Sequence, residues 1–311
     1  MTTLLIENPA GMDHLMPPGH PEQVARLEAV RTALAAPPFA ALVRQEAPLA
    51  DDTDLLLAHP QAHVDRIRAA MPEAGLVALD PDTHASPGSW AAALKGVGGM
   101  IAGIDAVLDG RATNAFVATR PPGHHAEQTR AMGFCFFGTI AIGARHALER
   151  RGLSRVAVVD FDVHHGNGTQ DILWDEPRAF FVSSHQMPLF PGTGAASERG
   201  GSNNILNIPL PPGSDGAHMR SLYETRVFPA LRAFAPELIL VSAGFDAHRF
   251  DPLANLGWDE SDFAWLTREI CNLADELCDG RVVSTLEGGY DLPALAASVA
   301  AHVTELMERR G

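Results

Sequence analysis

The chain has 311 residues, 46% of them hydrophobic, and a formal net charge of −15 at pH 7. That length and apolar content suffice for one large α/β domain over 1–311, with no need of a second. A chain this acidic lacks the clustered basic side chains that displace counterions from phosphates, which disfavours nucleic acid as a partner, whereas a cationic substrate would be drawn in.

Residues 1–13 lack a basic start followed by an apolar run, and no later apolar stretch reads as long enough to cross a bilayer. A soluble, unprocessed protein with no membrane partner is therefore expected. Cys135, Cys271 and Cys278 are too few and too scattered for a disulfide framework or a four-cysteine zinc site, and they suit a reducing cytoplasm; 14 histidines remain as ligands or bases. In chain order, a helical pattern over 88–108 precedes an apolar run at 114–119, and a second helical pattern at 137–150 leads to apolar runs at 155–160 and 179–184. A helical pattern at 217–234, a run at 238–242, a helical pattern at 261–278, a run at 281–286 and a last helical pattern at 292–307 follow. The short apolar runs end in polar, glycine-rich turns, as buried parallel strands do, and the apolar residues between them recur at three- and four-residue intervals. Strand and helix alternate as in a doubly wound sheet, and no repeat, low-complexity tract or linker divides the chain.

Open α/β sheets place their ligands beyond the carboxyl ends of the strands. There the chain carries Arg120-Pro121-Pro122-Gly123-His124-His125, then Asp160-Phe161-Asp162-Val163-His164-His165-Gly166-Asn167, then Ala243-Gly244-Phe245-Asp246, and finally Glu287-Gly288-Gly289-Tyr290. Residues two apart share a face of an extended segment, so Asp160, Asp162 and His164 would project into one space if the strand persists. The plainer alternative is a strand end capped by side-chain hydrogen bonds to the turn that follows. Asp246 adds a carboxylate from another strand end, and two aspartate oxygens with one histidine nitrogen leave a fourth position for water, as in a catalytic rather than a structural metal site. Two carboxylates make such a water less acidic and favour a nearby base. His124 and His125 suit that task, with Asp160 and Asn167 as candidate acceptors that orient the rings, although paired surface histidines also occur. Tyr290, after two glycines, can approach a substrate and donate to a polarised carbonyl, or simply pack beneath a turn. Phe134 and Phe190 lie in turn-rich settings, as walls around a slender chain or as core.

Taken together, the segments from His20-Pro21-Glu22-Gln23-Val24-Ala25-Arg26 to Leu286-Glu287-Gly288-Gly289-Tyr290 resemble the histone deacetylase family, with its bacterial amidohydrolases and acetylpolyamine hydrolases. The resemblance implies a single-domain, three-layer arginase–deacetylase fold with a central, mainly parallel sheet flanked by helices. It implies zinc-dependent hydrolysis of an N-acyl amide, an acyl-lysine or a small acylated amine. Zinc would sit on Asp162, His164 and Asp246; His124 and His125 would be the catalytic pair, and Tyr290 would polarise the scissile carbonyl. Gly133 would line the floor of the acyl pocket and accept the substrate amide proton, Phe134 and Phe190 would form the tunnel walls, and Leu253 would stand at the gatekeeper position. Asp160 and Ser183 would contribute to an internal potassium site, and Arg26 would lie near an inner acetate-release channel. Asn167, where class I members carry aspartate, is similar to class II and many bacterial members, and should leave His125 less easily protonated.

His165, His185 and His248, and the pair His59 and His63, are expected to be structural. The nearest competing reading is an acetylpolyamine hydrolase with the same zinc chemistry; polyamine-selective relatives of the class II type carry glutamate where this chain has Leu253. A catalytically idle acyl-lysine-binding module would not need the full set of ligands, histidines and Tyr290. An arginase-like di-metal hydrolase would need more ligands where this chain has Asn167 and Tyr290.

Overall fold

The computed structural model describes residues 2–308. Met1 and residues 309–311, the ends of the expected 1–311 domain, lie outside the described residues. Among the described residues ten strands occur in chain order: β1 (Thr3–Glu7), β2 (Val43–Glu46), β3 (Val77–Ala78), β4 (His84–Ala85), β5 (Asn114–Ala118), β6 (Val156–Asp160), β7 (Ala179–Gln186), β8 (Ile205–Leu210), β9 (Leu238–Ala243) and β10 (Val282–Leu286). Eight form one sheet in the order β2-β1-β5-β10-β9-β6-β7-β8, while β3 and β4 pair in a small antiparallel ribbon. Every pairing within the large sheet is parallel, so the expected mainly parallel sheet is wholly so.

Parallel strands need crossover connections, which cover both faces of the sheet and explain why β5, β6, β9 and β10 are buried along their whole length. Side chains alternate between the two faces. Val156, Val158, Leu238, Leu240 and Val283 pack with Met100, Ile104, Ile140 and Ala144 from the helices Ser89–Leu108 and Thr139–Glu149. Ala157, Val159, Ile239, Val241 and Val282 pack instead with Leu27, Leu266, Ile270, Leu295 and Val299 from the helices Val24–Leu34, Glu260–Leu277 and Leu292–Met307. The result is the three-layer α/β architecture of the arginase–deacetylase type.

Two sequence expectations need correction, and some strands went unread. The helix Ser89–Leu108 is, by length and composition alone, apolar enough to cross a membrane, contrary to the reading that no such stretch exists; 61% of its apolar window is buried inside the fold, where it covers the sheet. The single helical pattern over 217–234 is broken: Gly216–Leu222 and Phe228–Phe234 are α-helical, and Tyr223–Val227 between them is a π-helical turn. Pro229 has no N–H to continue the ladder, and the widened turn precedes it. The outer strands β1, β2 and β8 were not legible. β2 is exposed and polar, and β8 contains Pro209, tolerated because β8 lies at the sheet edge.

Candidate active site

The four strands whose ends carry the motifs, β5, β10, β9 and β6, are neighbours at the centre of the sheet. Because all run parallel, their carboxyl ends open on one side, and residues up to 166 positions apart in sequence, His124 to Tyr290, lead into one space.

β6 stops at Asp160, so strand alternation is not what gathers Asp162 and His164. A chain of short-range caps does it. Asp160 Oδ1 accepts from the Asp162 N–H at 3.1 Å, and Asp162 Oδ1 accepts from the His164 N–H at 2.9 Å, each carboxylate holding the backbone two residues on. Asp246 Oδ1 accepts from the Val163 N–H at 2.9 Å and ties the turn after β9 to the turn after β6. Asp162, His164 and Asp246 end with one ligand atom each within 4.8 Å of one another, all buried. Among the described residues they are the one such group of His, Cys, Asp and Glu.

This donor set fits a divalent cation. Two buried carboxylates facing each other are costly without a positive charge between them, and one imidazole beside them completes a three-ligand site with room for a fourth position. Gly288 supplies the room: a Cβ there would collide with Asp246 Oδ2 and Asp162 Oδ2, while its N–H donates to Asp162 Oδ2 at 2.8 Å.

His124 and His125 adjoin this set, their ring centroids 4.0 Å apart. His124 Nδ1 donates to Asp160 Oδ2 at 2.9 Å, and His125 Nδ1 donates to Asn167 Oδ1 at 2.7 Å. The two environments separate the rings electrically. Burial disfavours charge on both, but the carboxylates of Asp162, Asp160 and Glu287 overcome it at His124 and hold that imidazole well above its usual range. Burial, with His124 and His164 alongside, pushes His125 well below.

A cavity of about 200 Å³ reaches these groups, lined by Asp82, His125, Gly133, Phe134, His164, Leu189, Phe190, Leu253 and Tyr290. Phe134 meets Tyr290 edge-on at 5.9 Å, and Phe190 meets His125 edge-on at 5.2 Å, so the two phenylalanines border different parts of the opening. Gly133 has φ +57°, and a Cβ there would strike the His125 ring. Glycine is therefore required on both counts. Its N–H donates to Asp82 Oδ1 at 3.0 Å, and its carbonyl accepts from the Cys135 thiol at 3.2 Å. Burial pushes the Tyr290 phenol well above its ordinary pKa although Arg26 pulls the other way, so it stays protonated.

Asp160 and Ser183 are register partners on β6 and β7, both buried, and Ser183 Oγ pairs with His185 Nδ1 at 2.9 Å. Arg26, fully buried, donates from Nε to the Gly289 carbonyl at 2.6 Å and from Nη2 to the Glu287 carbonyl. The remaining histidines stand apart from the ligand set. His165 bonds Thr193 and Gln170, His185 bonds Ser183 and Gly194, and His248 accepts from the Phe250 N–H. His59 and His63 stack at 4.7 Å and bond Gln128, Gly138, Phe136 and Arg66.

Four carboxylates escaped the sequence reading. Glu287 Oε2 accepts from the N–H groups of Gly123 and His124, fixing the histidine turn; its place at a strand end was the available signal. Asp251 accepts from the Leu253 N–H with one oxygen and from the Tyr290 N–H with the other. Asp82 reaches the cavity, and Glu127 accepts from Asn167 Nδ2 at 2.8 Å. Nothing in their local sequence marks these last three.

A strand-end site of this form on a parallel sheet fits a hydrolase of the deacetylase class, and comparison with known proteins agrees. The sequence profile of the histone deacetylase domain matches residues 20–306. The chain is 43% identical over 290 residues to protein slr0245 of Synechocystis sp., covering 92% of this chain and 93% of that one. It is 43% identical over 256 residues to the histone deacetylase-like amidohydrolase of Pseudomonas aeruginosa, covering 81% of this chain and 67% of that one. The crystal structure of the HDA15 HD domain superposes with a TM-score of 0.91 at 31% identity, covering 97% of this chain and 88% of that one. The chain belongs to the histone deacetylase family, whose members hydrolyse acetyl amides.

Proposed function

We propose that this protein is a metal-dependent deacylase that hydrolyses linear N-acyl amides, acetyl-lysine or a related acylated amine foremost. The observation that carries the reading is that the Asp162, His164 and Asp246 group meets, through His164, one narrow, largely apolar cavity also lined by His125 and Tyr290. Asp162, His164 and Asp246 would hold one zinc ion, which when bound acts as a Lewis acid on water and on the acyl carbonyl. His125, its Nδ1 bonded to Asn167, offers Nε2 to take a proton from the attacking water and return it to the leaving amine. His124, bonded to Asp160, supplies positive charge beside the developing tetrahedral centre. Tyr290 donates its hydroxyl proton in a hydrogen bond to the carbonyl oxygen as negative charge grows there, and the Gly133 carbonyl accepts the substrate amide N–H. Phe134, Phe190 and Leu253 exclude water from the chain that carries the amide.

Asp160 and Ser183, adjacent across β6 and β7, would form part of a structural potassium site. Cys135, Cys271 and Cys278 are buried and form no disulfide among the described residues, which supports a cytoplasmic location. A second reading, acetylpolyamine hydrolysis, draws on the net charge of −15 and the Asp82 carboxylate at the cavity. The deciding experiment is a turnover panel of acetyl-lysine peptides, longer acyl-lysines, acetylpolyamines and small acetamides. Highest kcat/KM on an acyl-lysine supports the first reading, highest on acetylspermidine the second, and no turnover of any amide by zinc-loaded protein defeats both.

A further inference from the structure

We infer that Glu127 fixes the tautomer of His125 by locking the side-chain amide of Asn167, a positioning role one hydrogen bond beyond the histidine pair. The inference rests on the proposal above that His125 handles the proton in amide hydrolysis. Asn167 lies between the two: Oδ1 is 2.7 Å from His125 Nδ1, and Nδ2 is 2.8 Å from Glu127 Oε1. A carboxylate offers only acceptors, whereas an amide has a donor end and an acceptor end. Glu127 thus demands the Nδ2 end, and the Oδ1 end is turned to His125. An acceptor facing Nδ1 requires the ring proton to sit there, which leaves the lone pair on Nε2.

The alternative orientation is penalised twice. Turning the amide over sets Oδ1 against the carboxylate, two acceptors with no proton between them, and sets Nδ2 against His125 Nδ1, which would then have to surrender its proton. The ring would carry Nε2–H instead and could not take a proton from water. Two weaker contacts of Nδ2, to the His125 carbonyl and to Met132 Sδ, both at 3.4 Å, agree with the observed orientation. Glu127 is itself held: its N–H donates to the Arg130 carbonyl at 2.9 Å, and the Arg130 N–H donates back at 3.3 Å. Both bonds of that turn are made by backbone atoms, so the turn alone does not account for an acceptor directed at Asn167.

One consequence separates this role from a merely structural one. Asn167→Asp, which by itself offers His125 a stronger acceptor, should be harmful here, because it brings a second carboxylate to within hydrogen-bond distance of Glu127. Adding Glu127→Gln supplies a donor to that carboxylate and should relieve the harm.

The test uses zinc-loaded protein labelled with nitrogen-15 at histidine, with the His125 signals identified by their loss in His125→Gln, together with steady-state kinetics on the best substrate. Wild type should show His125 with the proton on Nδ1. Glu127→Ala should show a mixture of the two tautomers and lose roughly tenfold or more in kcat with little change in KM. Glu127→Gln with Asn167→Asp should restore the Nδ1–H tautomer and exceed Asn167→Asp alone in kcat. The inference is overturned if Glu127→Ala keeps the wild-type tautomer and kcat. Wild-type protein that turns over no amide would defeat the hydrolase proposal instead, and the tautomer spectra would still judge Glu127 by themselves.

Discussion

The guanidinium carbon of Arg26 lies 4.8 Å from the centre of the Tyr290 ring, while the same side chain bonds the carbonyls of Glu287 and Gly289 on the approach to that tyrosine. Arg26 also donates from Nη1 to Glu22 Oε1 at 3.0 Å, and Arg120 donates to both oxygens of Glu22. One buried carboxylate thus anchors two buried arginines, and one of these cradles the loop that presents the phenol. Arg26→Ala should leave Glu22 short of a partner and Tyr290 loosely held. Stability should fall by about 3–5 kcal/mol, the usual result of breaking a buried pair. Urea unfolding checks the first effect, and a fall in kcat below that of equally destabilised core variants checks the second.

Tyr290→Phe keeps the ring and removes the hydroxyl proton that the buried, protonated phenol offers. Losing one donor to an oxyanion costs on the order of a hundredfold in kcat, with KM nearly unchanged. Steady-state acetate release measures it, and a variant within a few-fold of wild type would remove Tyr290 from the oxyanion role.

Asp246 contributes a ligand atom to the Asp162, His164 and Asp246 group and also ties two turns through Val163. Metal analysis of active protein should find one catalytic divalent ion per chain, chelation should abolish turnover, and zinc should restore it. Asp246→Ala should bind no ion at that site and be inactive. Two catalytic ions per chain, or full activity after chelation, would refute the single-metal mechanism.

Leu253 lines the cavity, and its N–H is held by Asp251. A secondary ammonium brought beside leucine loses solvation without gaining a partner, so wild type should favour acetyl-lysine over acetylspermidine in kcat/KM. Leu253→Glu should narrow the gap. Competition assays at matched salt decide it, and a wild-type preference for acetylspermidine would promote the polyamine reading.

His302 is fully buried among Phe116, Phe161 and Phe245, bonded to Thr267 and Ser284, and burial lowers its pKa from 6.5 to about 3. The ring is neutral when folded, and the unfolded chain takes up the proton below pH 6.5. Stability contributed by the neutral ring is therefore intact above that pH and is lost progressively as pH falls toward about 3, reaching about 2 kcal/mol lost at pH 5. Unfolding free energies at pH 7.5 and pH 5 should drop more for wild type than for His302→Gln. Equal drops would show that His302 carries no part of the acid sensitivity.

Sequence alone determined the central strands and which side chains gather at their ends. β5, β6, β9 and β10 are mostly apolar runs because both faces of each strand are covered, and that burial leaves a direct trace in residue type. Asp162, His164, Asp246, the histidine pair and Tyr290 were legible for a related reason: each follows such a run directly, where a parallel sheet opens to solvent. The edge strands left no such trace, since β2 is exposed and β8 carries a proline. Tertiary structure alone decided the supporting carboxylates. Glu127 meets Asn167 across 40 positions, and Asp251 meets Tyr290 across 39. A single acidic side chain in a loop has the same local sequence whether it faces water or a buried amide, and only the packing of distant turns sets which it does.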